Sequence, residues 1–131
     1  MAGQSILIVD DNQVNLKLVR VLLVREGYNV RTAADAEEAL EILKDFSPEL
    51  ILMDIQLPGI DGLELTRRLK SEPTTEHITI VALTAYAMKG DHQKIMDAGC
   101  DGYIPKPVDT RTLPGLIAQY LSKHSPASKA G

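Results

Sequence analysis

The sequence predicts an α/β protein of (βα)5 type, a doubly wound, five-stranded parallel sheet with helices on both faces. Three observations carry that expectation. The hydrophobic period alternates five times between short apolar runs and longer helical patterns, as consecutive βα units require. All but one of the short runs are nearly continuous in apolar residues, as strands covered on both faces must be. Four runs end in a residue suited to phosphate chemistry: Asp10 and Asp11, Asp54, Thr84 and Lys106. Parallel strands of one open sheet would bring all of these to a single crevice along their carboxyl edge.

The elements follow in order. A first strand is expected near residues 5–9 and a first helix near 13–26, closed by Gly27. The second strand, near 28–33, alternates polar and less polar residues through Tyr28-Asn29-Val30-Arg31-Thr32, which places it at the sheet edge. A second helix near 36–46 opens on Asp35 with Glu38 three residues on, an N-terminal capping pattern, and Pro48 cannot continue it. The third strand, near 49–54, is apolar up to Asp54, and a third helix near 62–71 repeats the capping pattern with Asp61 and Glu64.

A fourth strand is expected near 78–83, a fourth helix near 88–98 ending at Gly99, a fifth strand near 102–105 and a fifth helix near 110–123. Pro114 would remove a backbone donor inside that last helix, so its start is expected late, near Thr112. Ala36, Ala39, Leu40 and Leu43 share one helix face, as do Leu113, Leu116, Ile117, Tyr120 and Leu121; both stripes are core. The expected organisation is one domain over residues 1–123 and a small, polar, flexible C-terminal tail over 124–131.

A chain of 131 residues fits one domain, burying about two thirds of the surface that its unfolded form exposes. A net charge of −4, with cations spread along the chain, argues against a nucleic-acid or anionic-lipid surface. Cys100 is the single cysteine, which excludes an internal disulfide and a thiolate metal cluster, and after Gly99 it reads as inert core. The first residues carry no secretion signal and no apolar run reaches the ~18 residues of a membrane span, so the expected location is the cytoplasm. His77, His92 and His124 are too scattered for a metal motif and are expected at the surface.

Gathered carboxylates must be balanced, because two charges about 4 Å apart repel by about 4 kcal/mol at an effective dielectric near 20. A hard divalent ion does this, and Mg²⁺ is typically held by one or two carboxylates with waters and phosphate oxygens. Asp10 or Asp11 alone would be an ordinary turn or cap residue; jointly with Asp54 they point to Mg²⁺. A carboxylate can serve as nucleophile and form an aspartyl-phosphate when nearby cations neutralise the transferring group, and Asp54 is the candidate. Lys106 would pair with phosphoryl oxygens, and Thr84 would donate its hydroxyl to one. Lys106–Pro107 is expected to be a cis peptide bond, a form taken by only ~5% of such bonds in folded proteins.

Val9-Asp10-Asp11-Asn12, Leu52-Met53-Asp54-Ile55-Gln56-Leu57-Pro58-Gly59-Ile60-Asp61-Gly62, Leu83-Thr84-Ala85 and Tyr103-Ile104-Pro105-Lys106-Pro107 stand in the order and spacing of four family motifs. On them the chain resembles the receiver domains of bacterial two-component response regulators over residues 4–123. The resemblance implies a flavodoxin-like strand order 2-1-3-4-5 and a phosphorylation-dependent switch. Asp54 would accept phosphate from a sensor histidine kinase or histidine phosphotransfer protein; Asp10, Asp11, Asp54 and the backbone carbonyl of Gln56 would hold Mg²⁺. Thr84 would be the switch hydroxyl and Tyr103 the ring that turns inward with it, changing the binding of a downstream protein partner. The alternative for Tyr103 is a half-buried edge tyrosine that never moves. Phrases such as Ala85-Tyr86-Ala87-Met88-Lys89-Gly90-Asp91 resemble the stand-alone, DivK-like group, with no output domain expected.

Two other function classes compete. Aspartate-nucleophile phosphatases also use Mg²⁺, a strand-end aspartate, a hydroxyl and a lysine. They carry a second aspartate two residues after the nucleophile to protonate the leaving group, where this chain has Gln56. A phosphorylation-independent binding module would require a damaged crevice, and Asp10, Asp11, Asp54, Thr84 and Lys106 are all present.

Overall fold

The computed structural model describes residues 3–57, 61–84, 89–106 and 108–124. Of the tail expected over residues 124–131, His124 instead ends the last helix and residues 125–131 lie outside the described residues, as does the Pro107 end of the expected cis bond. The chain runs β1 (Ser5–Val9), α1 (Gln13–Arg25), β2 (Asn29–Ala33), α2 (Ala36–Ile42), β3 (Leu50–Asp54), α3 (Gly62–Ser71), β4 (Thr79–Thr84), α4 (Lys89–Asp97), β5 (Gly102–Pro105) and α5 (Leu113–His124). All pairings are parallel, in the order β2-β1-β3-β4-β5. This is the doubly wound architecture read from the sequence.

Burial follows from the twofold alternation of side chains along a strand. Leu7, Val9, Ile51, Met53, Ile80 and Ala82 face one side, where Ala36 and Ala39 of α2, Leu65 and Leu69 of α3 and Ile95 of α4 cover them. Ile6, Ile8, Leu50, Leu52, Val81 and Leu83 face the other, under Leu16, Val19 and Leu23 of α1 and Leu113, Ile117 and Leu121 of α5. Every residue of β3 and β4 is buried, whereas β2 at the sheet edge has two exposed residues, matching its mixed composition. No helix among the described residues is long and apolar enough to cross a membrane.

Helix boundaries carry local causes. Asp35 Oδ1 accepts the Glu38 amide at 2.8 Å and Asp61 Oδ1 accepts the Glu64 amide at 2.8 Å, as their spacing predicts. The glutamates then diverge: Glu38 accepts the Ala34 amide at 2.7 Å, while Glu64 meets Arg67 at 3.2 Å and Arg68 at 3.8 Å. Gly27 takes φ 93° and Gly99 φ 103°, left-handed conformations suited to helix ends.

α2 is shorter than expected, and α5 starts late, as Pro114 predicts. α2 stops at Ile42 because the chain tightens, with Lys44 N–H on Glu41 C=O and Asp45 N–H on Ile42 C=O, both at 3.2 Å. α5 begins at Leu113, so Pro114 falls in the first turn, where a missing N–H leaves no helical bond unmade. His77 is exposed, and the side chains of His92 and His124 lie outside the described residues.

Candidate phosphoacceptor and metal site

The carboxyl edge of the sheet places β1, β3, β4 and β5 side by side, and their ends form the pocket. Asp10 follows β1 and is fully buried, while Asp54 ends β3 and is 3% exposed; Asp11, next in the chain, is open to solvent. One carboxylate oxygen from each of the three lies within 4.8 Å of the others. Lys106, just past β5, sends Nζ to 2.9 Å from Asp54 Oδ2 and 3.5 Å from Asp10 Oδ2. Asp10 keeps the turn role as well, its side chain accepting the Asn12 amide two residues on, while the cap of α1 is Asn12, whose side chain accepts the Asn15 amide at 3.0 Å.

Each buried carboxylate is further held by the backbone. Asp54 Oδ1 accepts the Gln56 amide at 2.9 Å, and Asp10 Oδ1 accepts the Asn12 amide at 2.9 Å. Asn15 Nδ2 donates to Asp10 Oδ2. Thr84 is 1% exposed, and its backbone carbonyl accepts the Lys106 amide at 2.7 Å, which ties the ends of β4 and β5 together. Ala82 pairs with Tyr103 and Thr84 with Pro105, so Thr84 and Tyr103 project from the same face of the sheet. Tyr103 is half-buried against the core of that face.

Electrostatics set the demand for a cation. Burial pushes the Asp54 carboxyl above the usual carboxylate range; the Gln56 amide and Lys106 oppose the shift, and Asp10 beside it adds to it. Burial lowers the Lys106 ammonium, but its hydrogen bond to Asp54 and the charges of Asp10 and Asp54 outweigh that and raise it. Three carboxylates face one ammonium, and their oxygens are the hard donors that Mg²⁺ prefers. The residues present therefore fit a divalent cation.

Two contributors were not apparent from the sequence. Asn15 has no motif to mark it, since its value lies in one hydrogen bond across a turn. Gly62 opens α3 against the Asp54 backbone, where a β-carbon would stand 2.1 Å from the Asp54 carbonyl oxygen. Its hints in the sequence were its place after the Asp61 cap and at the end of the motif that begins at Leu52.

Comparison with known proteins agrees with this geometry. Residues 6–118 match the response regulator receiver domain. The polar-differentiation response regulator DivK of Brucella anthropi is 43% identical over 118 residues, 90% of this chain and 96% of that protein. A CheY-like receiver domain protein from Methanospirillum hungatei superposes with TM-score 0.87 at 33% identity, covering 99% of this chain and 100% of that one. The receiver domain of a sensor histidine kinase from Pseudomonas aeruginosa, with a magnesium ion coordinated in its active site cleft, gives TM-score 0.83 at 34% identity over 92% of this chain and 98% of its own. With a parallel sheet in the order 2-1-3-4-5 and acids at the ends of its first and third strands, the chain belongs to the response regulator receiver family of two-component signalling.

Proposed function

We propose that the protein is a phosphorylation-dependent signalling switch in which Asp54 is the phosphoacceptor. The observation that carries this reading is the buried Asp54 carboxylate, with Lys106 Nζ at 2.9 Å and the acids Asp10 and Asp11 beside it. The donor is a phosphohistidine of a sensor kinase or phosphotransfer protein. One Asp54 oxygen attacks phosphorus, the P–N bond breaks, and its electron pair returns to the imidazole nitrogen. Lys106 neutralises charge on the phosphoryl oxygens, while the Gln56 amide keeps the Asp54 carboxylate oriented.

Asp10, Asp11, Asp54 and the Gln56 backbone carbonyl are the proposed ligands of Mg²⁺. Bound there, the ion supplies neutralisation of negative charge. The phosphoryl group brings roughly −2 charge and three strong acceptors to the pocket, which draws the Thr84 hydroxyl inward. Tyr103, on the same face of the sheet, follows and changes the surface offered to a downstream protein. Gln56 carries an amide where a phosphatase needs an acid, so turnover of external phosphomonoesters is not expected.

The test is chemical labelling. Acetyl phosphate or phosphoramidate with Mg²⁺ should add one phosphoryl group per chain, read by intact mass, and Asp54→Asn should add none. Label retained by Asp54→Asn overturns the site assignment. Many turnovers per chain on a phosphomonoester would favour the phosphatase instead.

A further inference from the structure

We propose that Asn15 is a positioning residue for Asp10, holding that carboxylate in the orientation that receives a divalent cation; the inference rests on the cation site proposed above. Three hydrogen bonds close a ring. Asn15 Nδ2 donates to Asp10 Oδ2, the Asn12 amide donates to Asp10 Oδ1 at 2.9 Å, and Asn12 Oδ1 accepts the Asn15 amide at 3.0 Å. The helix cap that starts α1 therefore also delivers the Asn15 side chain to the pocket. Chemistry fixes the direction of its amide, because only the nitrogen end can face a carboxylate.

Asp10 has a competing partner. Lys106 Nζ stands 3.5 Å from the same Oδ2 that Asn15 occupies, against 2.9 Å to Asp54. With Asn15 engaged, Asp10 does not swing onto the ammonium, and Lys106 stays closer to Asp54. An acid at position 15 would set a fourth carboxylate against Asp10; the neutral amide gives a donor without charge.

Calorimetric titration of the full chain with magnesium chloride, beside urea unfolding, tests this on the parent, Asn15→Leu, Asn15→Ala and Val14→Ala. Val14 is 79% exposed on the same helix and its variant should bind as the parent does. Both Asn15 variants should unfold cooperatively yet lose roughly 10-fold in affinity, the lower end of what removing an outer-shell partner of a metal ligand costs. Unchanged affinity in either folded Asn15 variant overturns the inference while leaving the cation site standing. A parent that takes up no magnesium overturns the site itself and the inference with it. Loss of cooperative unfolding in both Asn15 variants would make the residue structural and overturn the positioning role.

Discussion

Gly62 and Asp54 meet backbone to backbone: a β-carbon on Gly62 would lie 2.1 Å from the Asp54 carbonyl oxygen and 2.7 Å from Ile55 Cα. Neither neighbour is a side-chain tip that can step aside. Gly62→Ala is therefore expected to push α3 away from the end of β3, at about 1–3 kcal/mol in stability. A urea midpoint equal to the parent's would show that the contact has slack.

Charge in the pocket makes Asp54 a cost to the metal-free fold. Its carboxyl is raised by burial, so its favourable contribution is present below the unfolded carboxylate pKa and is lost as pH rises through the folded one. Asp54→Asn should accordingly be more stable than the parent at pH 7 in chelator, with the difference shrinking as pH falls through the carboxylate range. Denaturant titrations at several pH values read this directly; a variant less stable than the parent at pH 7 would contradict it.

Magnesium should stabilise the parent by mass action, about 1.4 kcal/mol at a concentration ten times its dissociation constant. Asp11→Asn removes an exposed ligand candidate without opening the core, and should weaken that gain while leaving stability in chelator nearly unchanged. Thermal melts with and without magnesium measure both quantities.

Cys100 offers an alkaline test away from the pocket. Burial pushes its thiol from 9.0 up to about 11, against a weak opposing contact in which Sγ lies 3.9 Å from Thr66 Oγ1. Stability from this group is present below the unfolded value and is lost between about pH 9 and 11, on the order of 2–3 kcal/mol. Cys100→Ala should flatten the stability profile over that window. An identical slope in parent and variant would place the alkaline loss elsewhere.

Much of the fold was legible because its signals are local. Strands β3 and β4 are buried throughout and read as unbroken apolar runs; Asp35 and Asp61 announce α2 and α3; Pro114 delays α5. The end of α2 was hidden because Leu43 keeps the apolar period while the backbone has already tightened into three-residue bonds. At the site, residue type named Asp10, Asp11, Asp54, Thr84 and Lys106, and the parallel sheet brings them to one edge. Which acid would be buried was not legible, since Asp10 and Asp11 are adjacent and only the turn into α1 separates their environments. Asn15 and Gly62 each act through a close approach across a loop, five and eight residues back in the chain, which no helix or strand period records.

The unequal exposure of the three acids gives the pocket a door. Asp10 and Asp54 form its sealed floor, and Asp11 stands where bulk water reaches. A cation held by the proposed ligands would therefore arrive or depart along the Asp11 side, without strands parting or helices lifting. Occupancy should track the surrounding ion concentration rapidly, and a chelator should empty the pocket while the protein stays folded.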